Sequence, residues 1–284
     1  MFSFKIDRRL VTKLMDFSTD RVLFAFGLTL LAGLSTGIGS IISMKVKRSN
    51  TKFLSRALGF SAGVMIYVSL VDIFVKARES LESVYGASRG FLVTTVSFFA
   101  GMALIAIIDK FVPNAENPHE IPDVNEMKDC KLNNSCLLRM GLFSAIAIAI
   151  HNFPEGLATF TSAMRDPTLG ISIAIAIAIH NIPEGISISV PIYYASGSKR
   201  KAFGYSFLSG LSEPLGAIAG YFILLNFFNE ATFGIIFAAV AGIMIYISLD
   251  ELLPTAEKYG EHHVAMYGLI AGMVVMALSL LLFS

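Results

Sequence analysis

Residues 145–156 read AIAIAIHNFPEG and residues 174–185 read AIAIAIHNIPEG, so eleven of twelve positions are identical. Each copy lies inside a long apolar run, although its alternating Ala and Ile would suit a β-strand in a soluble protein. Inside a bilayer only helices and closed barrels satisfy their backbone hydrogen bonds, and the length of each run favours a helix. The duplicated segment therefore predicts two successive transmembrane helices that carry the same polar residues.

The composition of the whole chain also indicates a membrane protein. Of the 284 residues, 55% are hydrophobic and 15% are charged, whereas a soluble domain has about 25% charged residues. The 22 Lys and Arg nearly balance the 21 Asp and Glu, so the chain has no overall basic field for nucleic acid. Two Cys cannot form a disulfide framework. These counts argue against a soluble single-core enzyme and a nucleic-acid-binding protein.

Apolar runs that can cross a bilayer, which takes about 20 residues, occur eight times. Numbered one to eight, these spans cover residues 22–44, 57–75, 91–109, 141–163, 168–194, 203–226, 231–253 and 264–284. We therefore expect an all-α integral membrane protein with one eight-span domain over residues 22–284. Residues 110–140 are rich in Pro, Asn and acidic residues and are expected to form a flexible cytoplasmic loop. Its Cys130, Cys136 and His119 are interpreted as ordinary loop residues, with transient metal binding as the alternative.

The distribution of Lys and Arg favours an orientation with both termini outside the cytoplasm. In this orientation the cytoplasmic loops hold 13 Lys or Arg and the opposite loops hold 4, although the N-terminal tail adds 5 to the outer side. Residues 1–21 place Leu10, Leu14 and Phe17 at helical spacing among basic residues, which is typical of an amphipathic helix at a membrane surface. The expected location is the plasma or inner membrane, with multiple passes.

Each copy of the repeat places a His and a Glu four residues apart, on one face of its helix. An Asn lies three residues before each Glu, also on that face. These residues are His151, Asn152 and Glu155 in span four and His180, Asn181 and Glu184 in span five. Because a short turn joins the two spans, the helices run antiparallel. The copies are therefore expected to be related by an inverted pseudo-two-fold axis that lies in the membrane plane.

Span six adds a third carboxylate, Glu213, in the sequence SGLSEPLGA. Counted from the span ends, His151, His180 and Glu213 each lie roughly 15 to 18 Å deep, near the centre of the bilayer. In the two repeats, Pro154 and Pro183 remove an amide and leave a carbonyl oxygen in need of another partner. The depth of these groups therefore permits one shared polar site.

Three carboxylates at membrane depth, with no permanent cation in spans four to six, repel one another and cost several kcal/mol each unless they are paired. One or two divalent ions would remove both problems, and the imidazole and Asn groups would complete their coordination. This ligand set suits Zn²⁺, Fe²⁺, Mn²⁺ or Co²⁺ without ranking them. The alternatives are helix-packing hydrogen bonds and a proton relay without metal.

At these residues the sequence resembles the ZIP family of divalent metal transporters, specifically its bacterial branch. The resemblance covers nearly all of the apolar chain: ALGFSAGVMIYVSLVDIF (57–74), HNFPEG, HNIPEG, GLSEPLGA (210–217), DELLPTA (250–256) and YGLIAGMVVMALSLLLF (267–283). The two HNxPEG motifs are the most specific. Residues 110–140 contain one His, whereas many relatives have a histidine-rich tract there.

The resemblance implies that the seven polar residues of spans four to six form a transport site for up to two ions, with Glu155 and Glu184 bridging them. It also implies a homodimer, import into the cytoplasm, and an elevator-like movement of spans one, four, five and six. The ions are expected to be Zn²⁺ first, then Fe²⁺, Mn²⁺, Co²⁺ or Cd²⁺, as substrates and with no catalytic cofactor. Because metal displaces protons from Glu and His, metal affinity should fall as the pH drops.

Other acids and His residues are weaker candidates. Asp72 in span two would attract entering cations or simply be solvated. Around the last cytoplasmic loop, departing metal would meet Asp250, Glu251, His262 and His263.

Two rival functions use the same residues. One is a proton- or sodium-coupled antiporter, which would contain no bound transition metal. The other is an intramembrane metal-dependent hydrolase, against which the sequence has no HExxH motif and no general base outside the ligand set.

Overall fold

A computed structural model describes residues 19–44, 51–111, 134–227 and 229–283. Within these ranges all the regular structure is helical, as expected for a chain that satisfies its backbone hydrogen bonds inside a bilayer. The expected amphipathic segment lies almost wholly outside the described residues, as do His119 and Cys130. Cys136 lies in a described helix, but its side chain is outside the description.

Eleven α-helices and two π-helical segments occur in the described part of the chain. The helices are α1 Thr19–Ser43, α2 Thr51–Val68, α3 Phe74–Tyr85, α4 Ala87–Phe111, α5 Asn134–Arg165, α6 Pro167–Ser196, α7 Lys199–Gly210, α8 Ser212–Phe227, α9 Glu230–Ile247, α10 Leu253–Tyr259 and α11 His262–Phe283. The π segments are Ser69–Ile73 between α2 and α3 and Ser248–Leu252 between α9 and α10.

Six candidate membrane spans, long and apolar enough to cross a bilayer, are found among the described residues. They are Thr19–Ser43, Ser55–Tyr85, Ala87–Ile108, Pro167–Val190, Glu230–Glu257 and His262–Leu282. The chain is therefore a multi-pass helical membrane protein.

The predicted spans four and six correspond to α5 and to the pair α7 and α8. The latter two have 12 and 16 residues, and neither reaches the length of about 20 residues that a span needs by itself.

Helix α5 begins at Asn134, inside the stretch expected to be a loop up to residue 140. The reason is local, since Leu137, Leu138 and Met140 are strong helix formers that extend the apolar run of span four. The α-helical part of span two ends at Val68, but the chain continues through a π segment into α3 and reaches Tyr85, ten residues beyond the predicted end of that span.

A single residue, Asp166, connects α5 to α6. Its carboxylate accepts hydrogen bonds from the backbone amides of Thr168 (2.8 Å) and Leu169 (3.3 Å), and Pro167 occupies the first helical position, where a missing amide is harmless. At the other end of α6, Gly197 has a φ of 63°, a left-handed conformation that favours glycine. The one-residue connection at Asp166 makes α5 and α6 antiparallel neighbours, as the sequence predicts.

The burial of the spans shows which helix lies at the centre. In α6, 72% of the candidate span is buried, whereas the figure is 22% in α4 and 33% in α11. Large apolar side chains of α11, such as Leu281 and Leu282, are almost fully exposed and face the hydrocarbon of the bilayer. The most central helix is therefore one of the two that carry the repeated polar motif.

Candidate metal centre

The polar residues of the repeat and of span six are brought into the interior of the helix bundle. Helix α5 carries Asn152 and Glu155, α6 carries His180, Asn181 and Glu184, and the first turn of α8 carries Glu213. The side chains of all six are 0% exposed. His151 lies in α5 on the same face as Glu155, but its side chain is outside the described part of the structure.

Glycines in the repeat allow the helices to approach closely around these residues. A Cβ placed on Gly156 would overlap the carbonyl oxygen of Glu213, and one placed on Gly216 would overlap the carbonyl oxygen of Phe153. Residues without a side chain are therefore required where α5 meets α8. This contact brings the backbones that carry Glu155 and Glu213 close together.

Glu213 is positioned by a break in span six. Helix α7 ends at Gly210 and α8 begins at Ser212, so that Pro214 falls in the first turn of α8, where its missing amide leaves no bond unmade within the helix. The hydroxyl of Ser212 donates to the carbonyl of Ser209 (2.7 Å). The carboxylate consequently lies at a helix N-terminus, where the partial positive charge of the helix dipole stabilises an anion.

The imidazole of His180 links the two copies of the repeat. Its Nδ1 lies 3.1 Å from the carbonyl oxygen of Ala176, and its Nε2 lies 3.1 Å from Oε1 of Glu155. A carbonyl oxygen only accepts hydrogen bonds, so Nδ1 is the donor and Nε2 points at the carboxylate. Fixing one ring nitrogen on a backbone carbonyl leaves the other nitrogen oriented as a metal ligand.

Asn181 connects the repeat to span six and to α1. Its Nδ2 donates to Oε1 of Glu213 and to the carbonyl oxygen of Ala32, the latter at 3.0 Å. The amide oxygen therefore points away from both acceptors, and it finds no hydrogen-bond partner among the described residues. Oε2 of Glu155, Oε2 of Glu213 and both side-chain polar atoms of Asn152 likewise find none there. Such buried polar atoms are expensive unless a ligand satisfies them.

Several acidic groups lie close together in this cluster. Glu184 interacts electrostatically with Glu155, Glu213 and Glu251. Every described ion pair that includes Lys or Arg lies elsewhere. In the side chains that are described, which exclude His151, no three His, Asp or Glu groups are close enough to hold a metal ion as they stand. An ion bound by both Glu155 and His180 would take the place of their hydrogen bond.

Two further acids occupy equivalent places in the π segments. Asp72 is 8% exposed, forms an ion pair with Lys76 (2.6 Å) and lines a cavity of about 500 Å³. Glu251 is 4% exposed and interacts electrostatically with Glu184. The sequences AGVMIYVSLVD (62–72) and AGIMIYISLDE (241–251) match at seven of eleven positions. This second repeat is present in the sequence and pairs Asp72 with Glu251, but it was not among the predicted motifs.

The remaining candidates lie at the surface. Asp250 is exposed, and Nδ1 of His262 is 2.7 Å from Oε1 of Glu257 in an exposed pair. The ring of His263 packs near His262, with 5.5 Å between ring centroids. The exposed Asp250, His262 and His263 are thus separate from the buried cluster. Of the four candidates around the last loop, Glu251 is the one that interacts electrostatically with Glu184.

Membrane-spanning helices around buried imidazole, amide and carboxylate groups are typical of membrane proteins that transport cations. Comparison with known proteins makes the assignment more specific. A family profile described as ZIP Zinc transporter matches residues 110–280.

Individual relatives cover nearly all of the chain. Three proteins named zinc transporter ZupT are similar to it: that of Chlorobium chlorochromatii (63% identity, 94% of this chain and 100% of the relative), that of Clostridium perfringens (62%, 93% and 97%) and that of Streptococcus mutans (61%, 91% and 97%). The chain belongs to the ZIP zinc transporter family. It is accordingly a transporter of divalent metal, and not an enzyme.

Proposed function

We propose that this protein imports divalent transition-metal ions into the cytoplasm through a site formed by the two HNxPEG repeats and span six. The observation that carries the proposal is the buried contact between His180 of one repeat and Glu155 of the other, flanked by the Asn181 to Glu213 hydrogen bond. The proposed ligands are His151, Asn152, Glu155, His180, Asn181, Glu184 and Glu213. The relatives named above are zinc transporters, and Zn²⁺ is the proposed main substrate, with Fe²⁺, Mn²⁺, Co²⁺ and Cd²⁺ as others.

The charge of the site supports up to two ions. Three carboxylates carry three negative charges when ionised, and two divalent ions carry four positive charges. Glu155 and Glu184 occupy the same position in the two repeats and are the proposed bridging ligands. The ion exchanges its hydration water for these ligands, and its electrostatic attraction to them is stronger away from water. It then leaves towards the cytoplasm after alternating access.

The proposed architecture has eight spans with inverted pseudo-symmetry around spans four and five. Its support is the close approach of two helix pairs at four matched glycines. Gly63 and Gly272 join α2 and α11, whereas Gly242 and Gly101 join α9 and α4. The residues that these glycines touch are also matched: Leu269 and Phe60 in the first pair, and Phe98 and Ala239 in the second. Both termini lie outside the cytoplasm, and the protein assembles as a homodimer in the plasma or inner membrane.

Asp72 and Glu251 are proposed to act before and after the central site. Asp72 is held beside a cavity near the ends of α5 and α6, which lies on the outer side in the proposed orientation. Glu251 interacts electrostatically with Glu184, and we propose that it receives departing metal. Asp250, His262 and His263 lie beyond it, towards the cytoplasm.

Uptake of radiolabelled zinc into proteoliposomes tests the site. The double variant E155Q/E184Q keeps the size of both side chains and removes the proposed bridging carboxylates, so uptake should fall to the background of empty liposomes. The matched control is E82Q, in a surface ion pair with Arg78, which should transport as the wild type does. Wild-type uptake by the double variant would reject the site.

Metal analysis of the purified protein separates the rival functions. An importer with this site should hold transition metal and lose it in E155Q/E184Q. A sodium or proton antiporter would contain none, and a hydrolase would cleave lipid or peptide without metal flux.

A further inference from the structure

The contacts of the two repeats reveal a residue in span one that corresponds to Glu213. A Cβ on Gly156, the last residue of the first repeat, would overlap the carbonyl oxygen of Glu213. A Cβ on Gly185, the last residue of the second repeat, would overlap the carbonyl oxygen of Thr36. The two glycines hold the same place in the repeat. Thr36 therefore packs against the second repeat in the way that Glu213 packs against the first.

A second pair of contacts gives the same correspondence. Gly216 packs against the carbonyl oxygen of Phe153, and Gly39 packs against that of Ile182. Phe153 and Ile182 are the matched variable residues of HNxPEG, and each glycine lies three positions after Glu213 or Thr36. The sequences GLSTGIG (33–39) and GLSEPLG (210–216) agree at four of seven positions, with Thr36 opposite Glu213.

The side chains of Thr36 and Glu213 also project in equivalent directions. Gly33 and Gly210 pack against each other's carbonyl oxygens, at the point where α1 crosses span six. A Cβ on Gly210 would lie 3.0 Å from Oγ1 of Thr36, and a Cβ on Gly33 would lie 3.4 Å from Cβ of Glu213. Since Glu213 reaches Asn181, the correspondence between the two repeats pairs Thr36 with Asn152, the counterpart of Asn181.

The hydroxyl of Thr36 is buried without a hydrogen bond. Thr36 is 0% exposed, and its Oγ1 finds no partner among the described residues. A helical Thr usually donates to the carbonyl four residues earlier, as Thr29 does to Ala25 (2.9 Å). For Thr36 that acceptor is the carbonyl of Ala32, which already accepts from Asn181. The described residues therefore supply no partner for this hydroxyl, and burying it in this way carries a cost.

The same half of the cluster contains a second unsatisfied residue. Asn152 corresponds to Asn181 in the repeat, and both of its side-chain polar atoms lack a partner in the described part of the chain. In the opposite half, the equivalent residues Asn181 and Glu213 bond to each other. The cluster is therefore asymmetric, with a carboxylate and an amide on one side and a hydroxyl and an amide on the other.

We propose that Oγ1 of Thr36 is a further oxygen ligand of the transported ion, the neutral counterpart of Glu213; this inference rests on the function proposed above. A hydroxyl adds a hard oxygen to the site without adding a fourth carboxylate. Hard oxygen ligands favour Mn²⁺, whereas soft ligands favour ions such as Cd²⁺. Thr36 therefore sets the site's preference among divalent ions and keeps its charge low enough for release.

A cysteine at position 36 tests ligation directly. In a background with C130S and C136S, the T36C variant loaded with Co²⁺ should show thiolate-to-cobalt charge-transfer absorption, because a thiolate within bonding distance coordinates the ion. T29C, two turns away in the same helix, should bind Co²⁺ without this absorption. Bound Co²⁺ in T36C with no charge-transfer band would overturn the proposal.

Transport selectivity provides an independent test that does not depend on cysteine. T36V is nearly isosteric and removes only the hydroxyl, so its KM for Mn²⁺ should rise about tenfold, with a smaller rise for Cd²⁺. T36S keeps the hydroxyl and should restore the Mn²⁺ value, and T29V should match the wild type. Equal amounts of each variant in the liposomes exclude a folding defect.

The outcomes separate the two proposals. If T36V has wild-type KM values for both ions while E155Q/E184Q is inactive, Thr36 is not a ligand and the transport site stands. If E155Q/E184Q transports normally, the proposed function and the role of Thr36 fail together.

Discussion

At the scale of single residues, the contact between His180 and Glu155 determines where a proton must lie. Nδ1 of His180 donates to Ala176, and Nε2 is 3.1 Å from Oε1 of Glu155. A neutral imidazole with its proton on Nδ1 has only a lone pair on Nε2, and an ionised carboxylate also only accepts. A proton must therefore lie between the two groups, on one or the other. A metal ion that takes both as ligands displaces that proton.

This geometry predicts proton release on metal binding. Titration of Zn²⁺ into the purified protein, in buffers of different ionisation enthalpy, should show at least one proton released per protein. In E155Q the amide donates to Nε2 without an extra proton, so the release should fall by about one proton. E82Q is the control and should release as many protons as the wild type. Equal release by E155Q and the wild type would contradict this account.

At the scale of helices, close packing at glycines holds the site together. Gly156 and Gly216 join α5 to α8, and Gly185 and Gly39 join α6 to α1, each against a carbonyl oxygen of the partner helix. The obstacle to a side chain at these positions is backbone, which cannot move aside as a flexible side chain can. Any added Cβ must therefore separate two helices that carry proposed ligands.

We predict that G156A destabilises the protein and impairs transport. The added methyl group must push α8 away from α5, a kind of overpacking that costs about 1–3 kcal/mol, and it displaces Glu213 from Glu155. Thermal unfolding in detergent should occur at a lower temperature, and zinc uptake should fall. The control is G204A in α7, since no atom lies within 4 Å of a Cβ built there. If G156A and G204A behave alike, the close approach of α5 and α8 is not required.

At the scale of the whole molecule, the most buried span lies in the middle and the least buried spans form the periphery. Helix α6 contacts α1, α2, α5 and α7, whereas α4 and α11 each cover one flank through α9 and α2 respectively. In the proposed eight-span architecture, the turn between α3 and α4 lies on the opposite side of the membrane from the turn between α6 and α7. The proposed orientation puts the first of these outside the cell.

Labelling of single cysteines tests this orientation. In a C130S/C136S background, A87C lies at the start of α4, next to the turn from α3, and K199C lies at the start of α7; both positions are exposed. A membrane-impermeant maleimide should label A87C in intact cells and K199C only after lysis, because the bilayer separates the two turns. The reverse pattern would show that the termini lie in the cytoplasm.

Much of this organisation could be predicted from local sequence. The apolar runs indicated a helical membrane protein, and the repeat at residues 145–156 and 174–185 identified the residues that form the buried cluster. The two π segments could not be predicted, because no residue type marks them. Thr36 was also missed. A single Thr in an apolar helix has no distinctive pattern, and its equivalence to Glu213 becomes visible only through the glycine contacts that α1 and span six make with the repeats.

The sequence by itself determined the helical class, the two repeated sets of His, Asn and Glu and the scarcity of charge at membrane depth, because these depend on composition and on spacing within one helix. The tertiary structure decided which residues meet. Contacts such as His180 with Glu155, Asn181 with Glu213, and Gly185 with Thr36 join helices that are distant or antiparallel in the chain. Their geometry follows from how closely the helix backbones approach one another, which the spacing of residues along one helix does not specify.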